Sequence, residues 1–222
     1  MIRVWGRRSS ANVQKVVWAL GELELPFSRE TVGGSFGGNR DADYLRMNPN
    51  GLIPVILDGD VTMFESNAIV RYLTARYRAN LLRPNDPKAL AAAEQWMEWQ
   101  QSTFYPAVSA IFWNLVRLPP EQRNAAAATV AEARKQAGAA LAIADHHLAQ
   151  HEWFAGDRFT FGDIVMGVML WRYVGLTGPL AEYPHVLAWF EVIQQREAFR
   201  QHVALPVARS PEEWTKIEKE LN

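Results

Sequence analysis

The 222-residue chain contains no cysteine. Disulfides, a thiolate zinc site and any cysteine nucleophile of the protein's own are thereby excluded. Charge of one sign is also missing: 23 Lys and Arg stand against 24 Asp and Glu, a formal net charge of −1. Without a basic stripe, nucleic acid is not expected as a partner. No apolar run reaches the ~18 residues of a membrane span, so no membrane partner is expected either. The opening residues, Met1-Ile2-Arg3-Val4-Trp5, lack a signal-peptide apolar region and read as a strand, which points to a cytoplasmic protein. No tyrosine stands between Met1 and Tyr44. What is abundant is apolar: 49% of residues are hydrophobic and nine are Trp. That suffices for a sizeable core in one large domain or two small ones.

The chain changes character near residue 80. Before it, strand and helix patterns alternate. Ile2–Trp5 reads as a strand, and Val13, Val16, Val17, Leu20 and Leu23 share one helical face. Leu25-Pro26 ends that helix, and a strand over 27–32 follows. Then come a strand after Ile53-Pro54, its partner Val61–Phe64, and a helix carrying Ile69, Leu73 and Tyr77. This order predicts an α/β layer with a mixed sheet over residues 1–80. Arg83-Pro84-Asn85-Asp86-Pro87 reads as a linker, and residues 88–222 are expected to form an all-helical bundle. Met97, Phe104, Val108, Ile111 and Leu115 keep helical spacing, with a kink expected at Pro106.

The most informative stretch is Asn50-Gly51-Leu52-Ile53-Pro54-Val55-Ile56, followed by Glu65-Ser66-Asn67. A proline that interrupts an apolar run belongs at a strand start, often after a cis bond. The Ile53 backbone before it can then offer its N–H and C=O to an extended ligand. Ser66 and the backbone N–H groups of the helix starting near Asn67 suit a carboxylate, and Glu65 suits an ammonium group. Together they fit a small zwitterionic peptide.

This pattern, with Asn48-Pro49 ahead of it and Asn67-Ala68-Ile69-Val70-Arg71-Tyr72-Leu73 behind, resembles the cytosolic glutathione S-transferases along the whole chain. Thr160-Phe161-Gly162-Asp163 and Tyr183-Pro184-His185-Val186 resemble that family's C-terminal domain. The resemblance implies a thioredoxin-like N-terminal domain, glutathione as co-substrate, a hydrophobic electrophile as second substrate, and a homodimer. With no early tyrosine and no cysteine, the serine-type, theta- or delta-like bacterial members are the nearest pattern. On that pattern Ser10 is the hydroxyl that stabilises the glutathione thiolate, and Asn12 also touches the sulfur. The resemblance further implies that Ile53, Pro54, Glu65 and Ser66 bind glutathione. Asn39 stands where a histidine for the glycine carboxylate would be, and Leu52 replaces a basic residue. Tyr105, Phe112 and Trp113 would wall the electrophile pocket.

Plainer readings stand beside these. Ser9, Ser10 and Asn12 also fit helix caps, the expected role for Ser9. Arg7 and Arg8 either supply positive charge or are solvated. The glycine-rich run 33–38 lacks a P-loop ending and reads as a surface loop. Thr160 and Asp163 form a capping box, with Phe159 stapled to Ile164. His147 and His151, four apart, read as surface positions rather than zinc ligands. Glutathione-dependent isomerisation, disulfide exchange or a non-enzymatic interaction module remain alternatives to conjugation.

Overall fold

The computed structural model describes residues 1–77 and 81–221. The expected domain boundary at residue 80 therefore lies outside the described residues. Strand β1 (Ile2–Trp5) leads into helix α1 (Ala11–Glu22) and strand β2 (Phe27–Glu30). A short helix α2 (Ala42–Met47), strands β3 (Val55–Asp58) and β4 (Val61–Phe64), and helix α3 (Ser66–Arg76) complete the first domain. The sheet order is β2-β1-β3-β4, with β1 parallel to β2 and antiparallel to β3. This is the mixed, thioredoxin-like layer. The second strand was expected to run to Val32 but stops at Glu30, whose carbonyl accepts from Gly6 N–H at 2.9 Å.

Strand alternation decides which residues face which layer. Val4 pairs with Ile56, and both pack in the main core with Val13, Val16 and Leu20 of α1 and Ile69 and Leu73 of α3. The next pair, Trp5 and Val55, points the other way and packs against Tyr44 of α2. The α1 face expected from the periodicity is buried throughout.

Asp86 caps the first helix of the second domain by accepting from Ala89 N–H at 2.8 Å. That helix, α4 (Pro87–Trp99), passes through a π-helical turn (Gln100–Phe104) into α5 (Tyr105–Phe112). The turn is the physical form of the kink expected from proline. Pro106 has no N–H for the Ser102 carbonyl, and the preceding ladder opens so that Tyr105 N–H bonds Gln100. A second π-helical turn (Trp113–Arg117) precedes α6 (Arg123–Leu148), α7 (Phe161–Thr177), α8 (Pro184–Gln194), α9 (Glu197–His202) and α10 (Pro211–Leu221). Trp18 of α1 ties the domains together: it is fully buried and packs on Phe159 and Phe199. Gly167 of α7 lets it in, since a Cβ there would lie 2.9 Å from the Trp18 ring.

Thr160 and Asp163 form the capping box, and Asp163 does more than cap. Its fully buried carboxylate also accepts from Phe154 N–H at 3.1 Å and Trp189 Nε1–H at 3.0 Å. Its role is structural. His147, expected at the surface, is instead half-buried, 4.6 Å from the Trp96 ring with Nε2 against the Phe154 carbonyl.

Candidate active site

A pocket of about 250 Å³ opens where the start of α1 meets the loop before β3 and helices α5, α7 and α10. Ser10, Asn12, Ile53, Tyr105, Phe112 and Trp113 all line it. Ser10 sits at the N-cap of α1 with extended backbone (φ −77°, ψ 120°), and its side chain makes no capping hydrogen bond. Its carbonyl takes the first helical bond, from Gln14 N–H at 2.9 Å. The hydroxyl therefore stands beside the pocket at the positive end of a helix without serving that helix. The Asn12 Oδ1 is buried with no hydrogen-bond partner. Rotating the amide by 180° exchanges this acceptor for an NH2 donor, the form a thiolate requires.

Ser9, one residue earlier, does not cap the helix either. Its Oγ donates to the Glu218 carboxylate of α10, and its carbonyl accepts from Arg172 Nη2 at 2.6 Å. Arg7 lines the pocket and pairs with Glu218 at 3.3 Å. Burial pulls the Arg172 guanidinium down to about 10, still charged at neutral pH, with Arg7 adding to the shift and Glu218 opposing it. Burial also pushes the Glu218 carboxyl up, against the pull of Arg7, Arg117 and Arg172.

The Ile53-Pro54 peptide is cis and precedes β3. The carbonyl before it, of Leu52, is gripped twice, by Tyr44 Oη–H at 2.7 Å and Asn48 Nδ2–H at 2.8 Å. Gly51 makes the bend with φ +61°, where a Cβ would meet the Asn39 carbonyl at 2.8 Å. Leu52 itself is 58% exposed. Asn39 already donates from Nδ2 to the Gly51 carbonyl at 2.7 Å, which leaves one N–H of that amide for a ligand.

At the other end, Glu65 is exposed and Ser66, the first residue of α3, is buried. Glu65 holds φ +68°, an unusual backbone for a residue with a Cβ. Lys15, in the second turn of α1, is fully buried below. Its ammonium donates to Asn67 Oδ1 at 3.2 Å and Gln100 Oε1 at 3.0 Å and lies 5.7 Å from the Tyr105 ring. Burial pulls it down to about 7, with the Glu65 charge opposing. Lys15, Arg172, Trp214 and Glu218 are absent from the sequence-based site. A signal for two of them existed: Lys15 interrupts the apolar run 13–20, and Arg172 the run 164–176. Among the described residues, no cluster of three metal-ligating side chains occurs, and no helix is long and apolar enough to cross a membrane.

Two family matches cover most of the chain. Residues 9–76 match the glutathione S-transferase N-terminal domain and residues 86–197 the glutathione S-transferase C-terminal domain. Glutathione S-transferase GstB of Escherichia coli (strain K12) is 42% identical over 212 residues, which span 94% of this chain and 100% of that protein. Glutathione S-transferase 3 of Zea mays is 33% identical over 216 residues, 95% of this chain and 97% of the relative. Among solved structures, the theta-class glutathione S-transferase of Xanthomonas axonopodis pv. citri with glutathione bound superposes with a TM-score of 0.87. It is 39% identical and covers 93% of this chain and 99% of its own.

Proposed function

The chain belongs to the glutathione S-transferase family and is a glutathione transferase, and on that premise we propose that Ser10 supplies the hydroxyl that stabilises the glutathione thiolate. The observation that carries this reading is a pocket-lining hydroxyl at the N-cap of α1 that makes no capping bond. A free thiol titrates near ~8.5, so a donor and a helix N-terminus at the sulfur each favour the thiolate at neutral pH. Asn12 is a second donor once its amide turns.

In this reading the Ile53 backbone pairs with the extended tripeptide, and Pro54 fixes the turn that presents it. Glu65 holds the ammonium, while Ser66 and the first N–H groups of α3 hold the adjacent carboxylate. Asn39 offers its remaining N–H to the glycine carboxylate. Tyr105, Phe112 and Trp113 form the wall for a hydrophobic electrophile. The sulfur lone pair attacks the electrophilic carbon and a C–S bond forms. A halide departs with its bonding pair, whereas in an epoxide or an enone the displaced pair settles on oxygen and the resulting alkoxide or enolate takes a proton from water. Holding both reactants together supplies much of the acceleration. The test is turnover with glutathione against alkyl halides, epoxides, enones and disulfides. Thioether formation from carbon electrophiles is expected, and turnover confined to disulfides would overturn the conjugation reading.

Domain limits of 1–80 and 88–222 and a homodimer belong to the same reading. A sedimentation mass near one chain at micromolar concentration would overturn the dimer. A cytoplasmic location follows from the need for reduced glutathione, which that compartment maintains.

A further inference from the structure

Three guanidinium groups gather around one carboxylate beside the pocket. Arg7, Arg117 and Arg172 all act electrostatically on Glu218, which is only 2% exposed. Arg7 and Arg172 line the pocket itself. The pocket's aromatic rings are backed by the same cations. Arg117 lies 5.2 Å and Arg7 5.8 Å from the Trp214 ring, and Arg172 lies 4.9 Å from Phe112. Among the described residues, the three cations outnumber the one anion beside a mostly apolar cavity, where the field is poorly screened. Each guanidinium carries five N–H donors. Arg172 gives one nitrogen to the Ser9 carbonyl, and Arg7 turns one toward Glu218.

Positive charge near the sulfur favours the thiolate, but a purely hydrophobic electrophile would gain nothing from guanidinium groups set against its own aromatic wall. We propose that the electrophile taken here carries a carboxylate, received by Arg7 and Arg172 while its carbon body lies against Phe112, Trp113 and Trp214. The inference rests on the reading of this pocket as the place where the glutathione thiolate meets its electrophile. In the step itself the sulfur lone pair displaces a halide from carbon: the C–S bond forms, the C–halogen bond breaks, and halide leaves with the bonding pair. The electrophile's carboxylate takes no part in bond making and stays ionised throughout. Glu218, tethered on the last helix, already shows that this cluster accepts a carboxylate. A bound anion would share the cations with it.

Matched electrophiles that differ only in charge test this. The pairs are iodoacetate with iodoacetamide, and 4-(chloromethyl)benzoate with 4-(chloromethyl)benzamide. For each, the enzymatic kcat/KM is divided by the uncatalysed rate constant with glutathione. This removes intrinsic reactivity, and any effect on the thiolate cancels within a pair. We expect the carboxylate of at least one pair to be favoured about tenfold or more, the worth of one charge-assisted hydrogen bond. That preference should fall with added salt and approach unity in Arg172→Met and in Arg7→Met. In Glu218→Gln, which removes the competing anion and keeps the shape, it should rise. The Glu218→Gln result stands even where an arginine variant fails to fold. Acceleration of the amides with no preference for either carboxylate would overturn the inference, leave the transferase reading standing, and reduce the arginines to anchors of the last helix. Acceleration of none of the four would overturn both.

Discussion

The hydroxyl of Ser9 donates to the carboxylate of Glu218, joining the loop before the first helix to the last helix across 209 residues of sequence. The neighbouring Ser10 is left at the pocket with no capping duty. Two adjacent serines thus differ in their engagement, one holding α10 down and one left facing the pocket.

Their substitutions should separate cleanly. Ser10→Ala is expected to raise the thiol pKa of bound glutathione and slow conjugation by about tenfold, with glutathione affinity little changed. That is below the ~10²–10³ of a sole oxyanion donor, because the helix N-terminus and Asn12 remain. Ser9→Ala should leave that pKa in place and cost about 1 kcal/mol of stability through a lost buried hydrogen bond. Thiolate absorbance against pH, with urea unfolding, checks both. A shifted curve in Ser9→Ala alone would reverse the assignment.

What the sequence made legible was local. The Ile53-Pro54 turn, the β3–β4 pair and the Thr160–Asp163 box each depend on residues a few positions apart, so spacing alone encodes them. Pro106 gave the position of a break but not its form, because a proline removes a donor without saying how the ladder reopens. Glu218 was unreadable for the opposite reason. Arg7, Ser9, Arg117 and Arg172 are among its partners, brought together only by tertiary packing. On its own helix it is one of several charged residues. Lys15 and Arg172 lay between these cases. Charges inside apolar runs announce a buried pair without naming the partner.

Glu65 offers a prediction in which stability and binding move in opposite directions. Its φ of +68° suits glycine, and such backbone costs a residue with a Cβ on the order of 1 kcal/mol. Glu65→Gly should therefore hold or slightly raise the unfolding free energy while weakening glutathione binding, because the ammonium loses its partner. Glu65→Ala should weaken binding similarly without the relief. Calorimetry at millimolar glutathione and chemical unfolding read the two effects. Unchanged affinity in both variants would remove Glu65 from the site.

Asp163 should behave as a stability residue only. Removing its carboxylate strands the N–H groups of Phe154, Thr160 and Trp189, all buried. Asp163→Ala is expected to cost about 3–5 kcal/mol. Folded material below its melting transition should still bind glutathione with near wild-type affinity. Loss of binding in well-folded Asp163→Ala would contradict a purely structural role.

Lys15 gives a pH dependence whose sign is fixed by its environment. The ammonium has an ordinary pKa of 10.5 and sits at about 7 in the fold, pulled down chiefly by burial with Glu65 opposing. Below about pH 7 both folded and unfolded chains hold the proton, and the cost of burying the charge is present in full. Between the two values the unfolded chain keeps a proton that the folded chain has released. Stability therefore rises with pH across that window, and the gain is complete once pH passes the unfolded value. Wild type should gain up to about 1.4 kcal/mol per pH unit between roughly pH 7.5 and 9.5, relative to Lys15→Met. The methionine fills similar space and leaves Asn67 and Gln100 without their donor, so its absolute stability also changes. The slope is what isolates the titration, because lost hydrogen bonds shift a curve without tilting it. Urea unfolding at four pH values for both proteins suffices. Parallel curves would mean that Lys15 keeps its proton in the fold, held there by Asn67, Gln100 and the charge of Glu65.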